Sequence, residues 1–176
     1  MKAALVIDAD GALCELVDRD TALVRVSVGN ACGGSFKVID VPTLAALGEL
    51  VADTLVAKGV AAGEIADMSA HLAAKLIEDG SGDVLSSLAE EDERAWEYIC
   101  VQGGGWLGRA PVWRLSAVAG WTAWHIADAW CRRTGRRRAR PGGDIRSWAL
   151  EVGLGVTYGI EGGMDPERCA LMLGWK

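Results

Sequence analysis

Apolar positions alternate with polar ones at the start of the chain and then switch to a helical spacing. Ala3 to Asp8 is a short apolar run, and Asp10-Gly11 is a strong hairpin-turn signal. Leu13 to Val17 returns, and Asp18 to Thr21 reads as a second turn. Val24, Val26 and Val28 alternate with Leu23, Arg25 and Ser27, which suits a half-buried strand. Gly29 to Gly34 reads as a loop and Ser35 to Val41 as a fourth strand. Strands joined by short turns pair antiparallel. The expected opening is therefore an antiparallel β-meander of three or four strands.

After Pro42 the period becomes helical. Pro42 or Thr43 opens a helix with Leu44, Leu47, Val51 and Leu55 inward and Gly59 at its end. A second helix is expected from about Gly63 to Asp79, on Ile65, Met68, Leu72 and Leu76, with a break at Gly80-Ser81-Gly82. Ser87-Leu88-Ala89-Glu90 fits a capping box opening a third helix through Glu91, Asp92 and Glu93 to Trp96, Ile99 and Cys100. Its acids would complement the helix dipole. The fold class is thus α+β, a meander followed by a mostly helical C-terminal region.

The stretch from Val112 to Pro141 organises the rest. It holds Trp113, Trp121, Trp124 and Trp130, four of the chain's eight tryptophans, and then Arg132, Arg133, Arg136, Arg137, Arg138 and Arg140. Ser116 is the expected N-cap and Gly135 the expected stop. Val118, Trp121, Thr122, His125 and Ala129 share one face, and Trp130 points away from Trp121. Either this helix is central in a core, or one face meets the core and the other a partner. His125 and Asp128 are placed to meet on its surface, with Cys131 one step on. Beyond it, Pro141-Gly142-Gly143 is a turn, Asp144 caps a short helix, Val156 to Tyr158 suits a short strand, and Asp165-Pro166-Glu167 opens a last helix.

Charge divides the chain. Residues 1–100 carry 18 acidic and 7 basic side chains, net −11, and residues 101–176 carry 6 and 11, net +5. The sign flips at Gly103-Gly104-Gly105, the expected joint between an acidic portion, 1–102, and a basic, Trp-rich portion, 103–176. The two fit within one domain at 176 residues. The triple glycine lacks the ending of a P-loop and the spacing of a dinucleotide loop. Arginine outnumbers lysine 13 to 5, a bias of high-GC genomes such as those of actinobacteria and their phages. Five scattered cysteines without a C-x-x-C pair point to reduced thiols and away from structural zinc. The chain shows neither a long apolar run nor a signal-peptide pattern, so a cytoplasmic location and no membrane partner are expected.

Leu5-Val6-Ile7-Asp8-Ala9-Asp10-Gly11-Ala12-Leu13 resembles the first motif of haloacid-dehalogenase-type phosphatases, an apolar strand followed by D-x-D-G-T-L. Ala12 stands where that family has Thr. The resemblance implies a Mg²⁺-dependent phosphohydrolase with Asp8 as nucleophile and Asp10 as acid. The residues also read as a plain hairpin turn whose carboxylates satisfy backbone amides. That second reading leaves no catalytic group, metal site or cofactor in the chain.

Function is accordingly expected to be non-enzymatic binding of a macromolecule by an interaction or accessory protein. Its contact residues would be Trp121, Trp124, Trp130, Arg132, Arg133, Arg136, Arg137, Arg138 and Arg140. The partner would be a protein or a second copy, with nucleic acid as the alternative through the arginines. The arginines are equally placed to dock on the chain's own acids, such as Glu90 to Glu93, or to stand in solvent.

Overall fold

The computed structural model describes residues 1–92 and 111–135. Two strands, β1 (Ala3–Ile7) and β2 (Leu13–Asp18), form an antiparallel hairpin, with a bulge between Val6 and Ile7. Helix α1 (Arg19–Ala31) follows, and β3 (Lys37–Val41) then pairs antiparallel with β1. The sheet order is β2-β1-β3, so β1 is central. Both outer strands run against β1 and hence in the same direction as each other. Such strands need a crossover over one sheet face, and α1 supplies it.

The fold class is α+β with an N-terminal antiparallel sheet of three strands, within the three or four that the alternation predicts. The expected strand through Val24, Val26 and Val28 is instead α1. Local capping explains the difference. The Asp18 carboxylate accepts from the Thr21 backbone N–H at 3.0 Å and from the Thr21 hydroxyl at 2.6 Å, which starts a helix where a turn was expected. The β preference of valine is weak beside such context. At the far end the Asn30 amide brackets Phe36, accepting from its N–H at 2.7 Å and donating to its carbonyl at 3.2 Å, and so leads the chain into β3.

Four more helices follow: α2 (Leu44–Ala57), α3 (Ile65–Leu76), α4 (Gly82–Glu91) and α5 (Pro111–Thr134). Thr43 caps α2, accepting from Ala46 N–H at 3.0 Å. Leu44, Leu47, Val51 and Leu55 are all buried, as their spacing requires. A π-helical turn, Ile77–Ser81, joins α3 to α4, with Gly80 at φ +93° where the chain kinks. The Ser81 hydroxyl there donates to the Leu16 carbonyl at 2.7 Å, tying the kink to the β2 edge.

Alternate residues of β1 serve two cores. Ala3 and Leu5 join Leu16, Val41 and the helices α2 to α5 in the main core. Ala4 and Val6 face α1 with Ala22, flanked by Val17, Val26, Phe36 and Val38. Burial on both faces explains the unbroken apolar run of β1. Helix α5 packs chiefly on α2 and α3.

Two helix starts differ from the sequence expectation. Ser87 to Glu90 lies inside α4, which already begins at Gly82, so Glu90 and Glu91 sit in its last turn. There the dipole disfavours them. Ser116 is interior to α5, which already includes Pro111; proline suits a first helical turn because its missing N–H has no partner there. Gly135, at φ +64°, follows the last residue of α5 as expected. The joint at Gly103 to Gly105, the residues from Glu93 to Cys100, and everything expected from Arg136 onward lie outside the described residues. Among the described residues no helix is long and apolar enough to cross a membrane.

Candidate functional site

Trp121, Trp124 and Trp130 of α5 belong to the main core. Trp130 is 2% exposed, Trp121 5% and Trp124 8%. Trp121 and Trp124 meet edge to face, with centroids 5.4 Å apart. Of the two roles open to this helix, their burial matches the central one.

His125 lies among these rings, 4.9 Å from Trp124 by centroid. Its Nε2 pairs with Asp92 Oδ2 at 2.8 Å, just beyond the end of α4. The expected partner, Asp128, accepts instead from Arg132 Nε at 3.1 Å. Burial lowers the His125 pKa from its ordinary value, and the charges of Asp92 and Asp128 oppose that only in part. Cys131, one step from Asp128, is buried. Among the described residues no group of three or more His, Cys, Asp or Glu side chains is arranged to hold a metal.

Arg132 and Arg133 dock on the chain's own acids. Arg132 pairs with Glu49 and Asp128, and Arg133 pairs with Glu49 at 2.7 Å and with Asp53. The acceptors are Glu49 and Asp53 on α2 and Asp128 on α5 itself. The Arg132 hydrogen bond, helped by Arg133, holds the Glu49 carboxyl below its ordinary range. Arg136, Arg137, Arg138 and Arg140 lie outside the described residues.

The hairpin after β1 is a turn built on Asp8. Its Oδ1 accepts from the backbone N–H of Asp10 at 2.9 Å and of Ala12 at 2.8 Å. Gly11 takes φ +78°. A phosphatase of the resembled kind sets its motif at the end of a strand in a parallel sheet, whereas both neighbours of β1 are antiparallel.

Among the described residues, a thinly covered surface lies on the opposite side of the sheet. Helix α1 buries only Ala22, and Val24 and Val28 stand 63% and 59% exposed. Between α1 and the sheet runs a groove of about 790 Å³, walled by Val6, Val24, Val28 and Phe36. Glu15, Asp20 and Arg25 also line it, and Arg25 pairs with Glu15 at 3.4 Å. Sequence reasoning missed this groove because it read the valines as a strand. The available signal was Asp18-x-x-Thr21, a capping pattern that turns Val24 and Val28 into an i, i+4 pair on one helix face.

Comparison with family models, curated proteins and solved structures finds no match to this chain.

Proposed function

We propose that the protein is a non-enzymatic interaction module that binds another macromolecule through the α1 face of its sheet. The observation that carries this reading is the exposure of Val24 and Val28 beside a groove of about 790 Å³. Exposed valines along such a groove offer apolar walls that a partner's side chains can cover. The reading moves the contact surface away from Trp121, Trp124 and Trp130, which are buried, and from Arg132 and Arg133, which already face carboxylates. Any phosphate contact with nucleic acid falls to Arg136, Arg137, Arg138 and Arg140, whose support is their sequence charge alone.

Site-specific photo-crosslinking in cells that produce the protein tests this. A photoreactive residue at position 24 or 28 should yield a discrete adduct, and one at exposed Lys58, at the end of α2, should not. Equal yields from all three positions, or none from 24 and 28, would reject the module.

A further inference from the structure

We infer that the α1 groove receives a basic amphipathic helix of a partner protein; this rests on the interaction reading above and adds the chemistry of the partner. Shape is the first argument. Val24 and Val28 are four residues apart on one helix and remain mostly exposed. Their ridge spans about 6 Å along α1, four residues at roughly 1.5 Å each. That matches the spacing of i, i+4 side chains on a second helix, the usual seating when ridges meet grooves. A small molecule fits less well. Sites for such ligands enclose about 70–90% of the ligand surface, and walls that stay 63% and 59% exposed do not enclose one. Pairing with an added strand uses a sheet edge, whereas this groove lies over a sheet face, on Val6 of the central strand.

Charge is the second argument. Glu15 on β2 and Asp20 on α1 line the groove, against a single cation, Arg25, which Glu15 already engages. Cys14 lines it too, and its thiol pKa is raised by desolvation and by the charge of nearby Asp8. Residues 1–41, which build the sheet and α1, carry six acidic and four basic side chains, net −2. Lysine and arginine have stems that lie along apolar walls while their charged ends reach such carboxylates. An apolar stripe bordered by basic residues therefore satisfies walls and rim together, and an acidic helix would be repelled.

The probe is a synthetic helical peptide of about 15 residues, with leucines at i, i+4 and i+7 and lysines flanking them. Two controls accompany it, one with every lysine replaced by glutamate and one of the same composition with the leucine stripe scrambled. Each is titrated into the full-length protein, with backbone amide shifts read by NMR. The basic peptide should shift amides of α1 and β2, weaken as salt is raised, and bind roughly tenfold less tightly to a Glu15→Gln, Asp20→Asn variant. The glutamate and scrambled peptides should bind at least tenfold less tightly than the basic one. Equal binding of either control overturns the basic-helix inference and leaves the groove a docking surface. So does failure of all three peptides where positions 24 and 28 still crosslink. Shifts of the same amides on concentrating the protein alone would make the occupant a second copy, which also overturns it. The charge-reversed peptide keeps the test independent of how the protein variant folds.

Discussion

Gly48 of α2 meets the backbone of His125 on α5. A Cβ at position 48 would stand 2.7 Å from both the carbonyl carbon and the carbonyl oxygen of His125. The crossing of the two helices is set by that hydrogen. Backbone atoms have little freedom to retreat, so Gly48→Ala should push α5 off α2. Alanine favours helix over glycine by about 1 kcal/mol, but overpacking a close-packed site costs about 1–3 kcal/mol. The net expectation is a loss of stability on the order of 1 kcal/mol, read as a lower urea midpoint with unchanged slope. A variant as stable as the parent would show that the helices pack less closely here.

That crossing also marks the limit of what the sequence discloses. Helix α2 was legible because Thr43 caps it and Leu44, Leu47, Val51 and Leu55 repeat at the helical period, so local and tertiary preferences agree. At α1 they conflict. The valine alternation argues for a strand, while the Asp18 cap argues locally for a helix and the crossover from β2 to β3 favours one as well. The partner of His125 was illegible for another reason. Asp92 is 33 residues away and reaches it only because α4 starts at Gly82 and ends by Glu91. The groove was hidden with α1, since its walls come from β1, α1 and the residue before β3.

His125 should make stability depend on pH. Burial lowers its pKa in the folded protein, while the unfolded chain titrates near 6.5. Where the unfolded chain binds the proton first, acidification favours unfolding. The contribution is therefore complete above about pH 6.5 and is lost as pH falls through the lower folded value. Between the two values the slope is at most about 1.4 kcal/mol per pH unit. His125→Gln keeps a donor for Asp92 and removes the titration, so urea unfolding at several pH values between about 7.5 and 5 should show a shallower acid loss. The same slope in parent and variant would remove His125 as the cause.

Glu49 ties the end of α5 to α2 through both Arg132 and Arg133. Its side chain is 33% exposed, so solvent screens the pairs. Glu49→Gln should cost roughly 0.2–1 kcal/mol in low salt. The cost should shrink as salt rises above about 0.15 M, where the screening length falls below about 8 Å. It should also shrink on acidification, because a carboxyl held below its ordinary value of 4.5 stabilises the fold above that value. That support is lost as pH falls through the folded value. Melting curves of parent and variant at two salt concentrations check this, and a difference that does not respond to salt would assign the effect to packing.

Asp8 separates turn from chemistry. Its carboxylate oxygen accepts two backbone N–H groups, from Asp10 and Ala12, and so closes the hairpin at the end of β1. Asparagine retains an acceptor oxygen in the same place, and alanine does not. Asp8→Asn should therefore melt close to the parent, whereas Asp8→Ala should lose on the order of 1 kcal/mol, one or two partly exposed hydrogen bonds. Asp10→Asn should change neither stability nor partner binding, since Asp10 contributes its backbone N–H to the turn. A phosphohydrolase would add one effect: both asparagine variants would fold normally and lose Mg²⁺-dependent hydrolysis of a phosphate monoester such as p-nitrophenyl phosphate. Measuring that hydrolysis beside the melting curves decides between the two roles, because the turn alone predicts the stability order of Asn above Ala with no turnover in the parent, and the phosphatase predicts turnover in the parent that both asparagine variants lose.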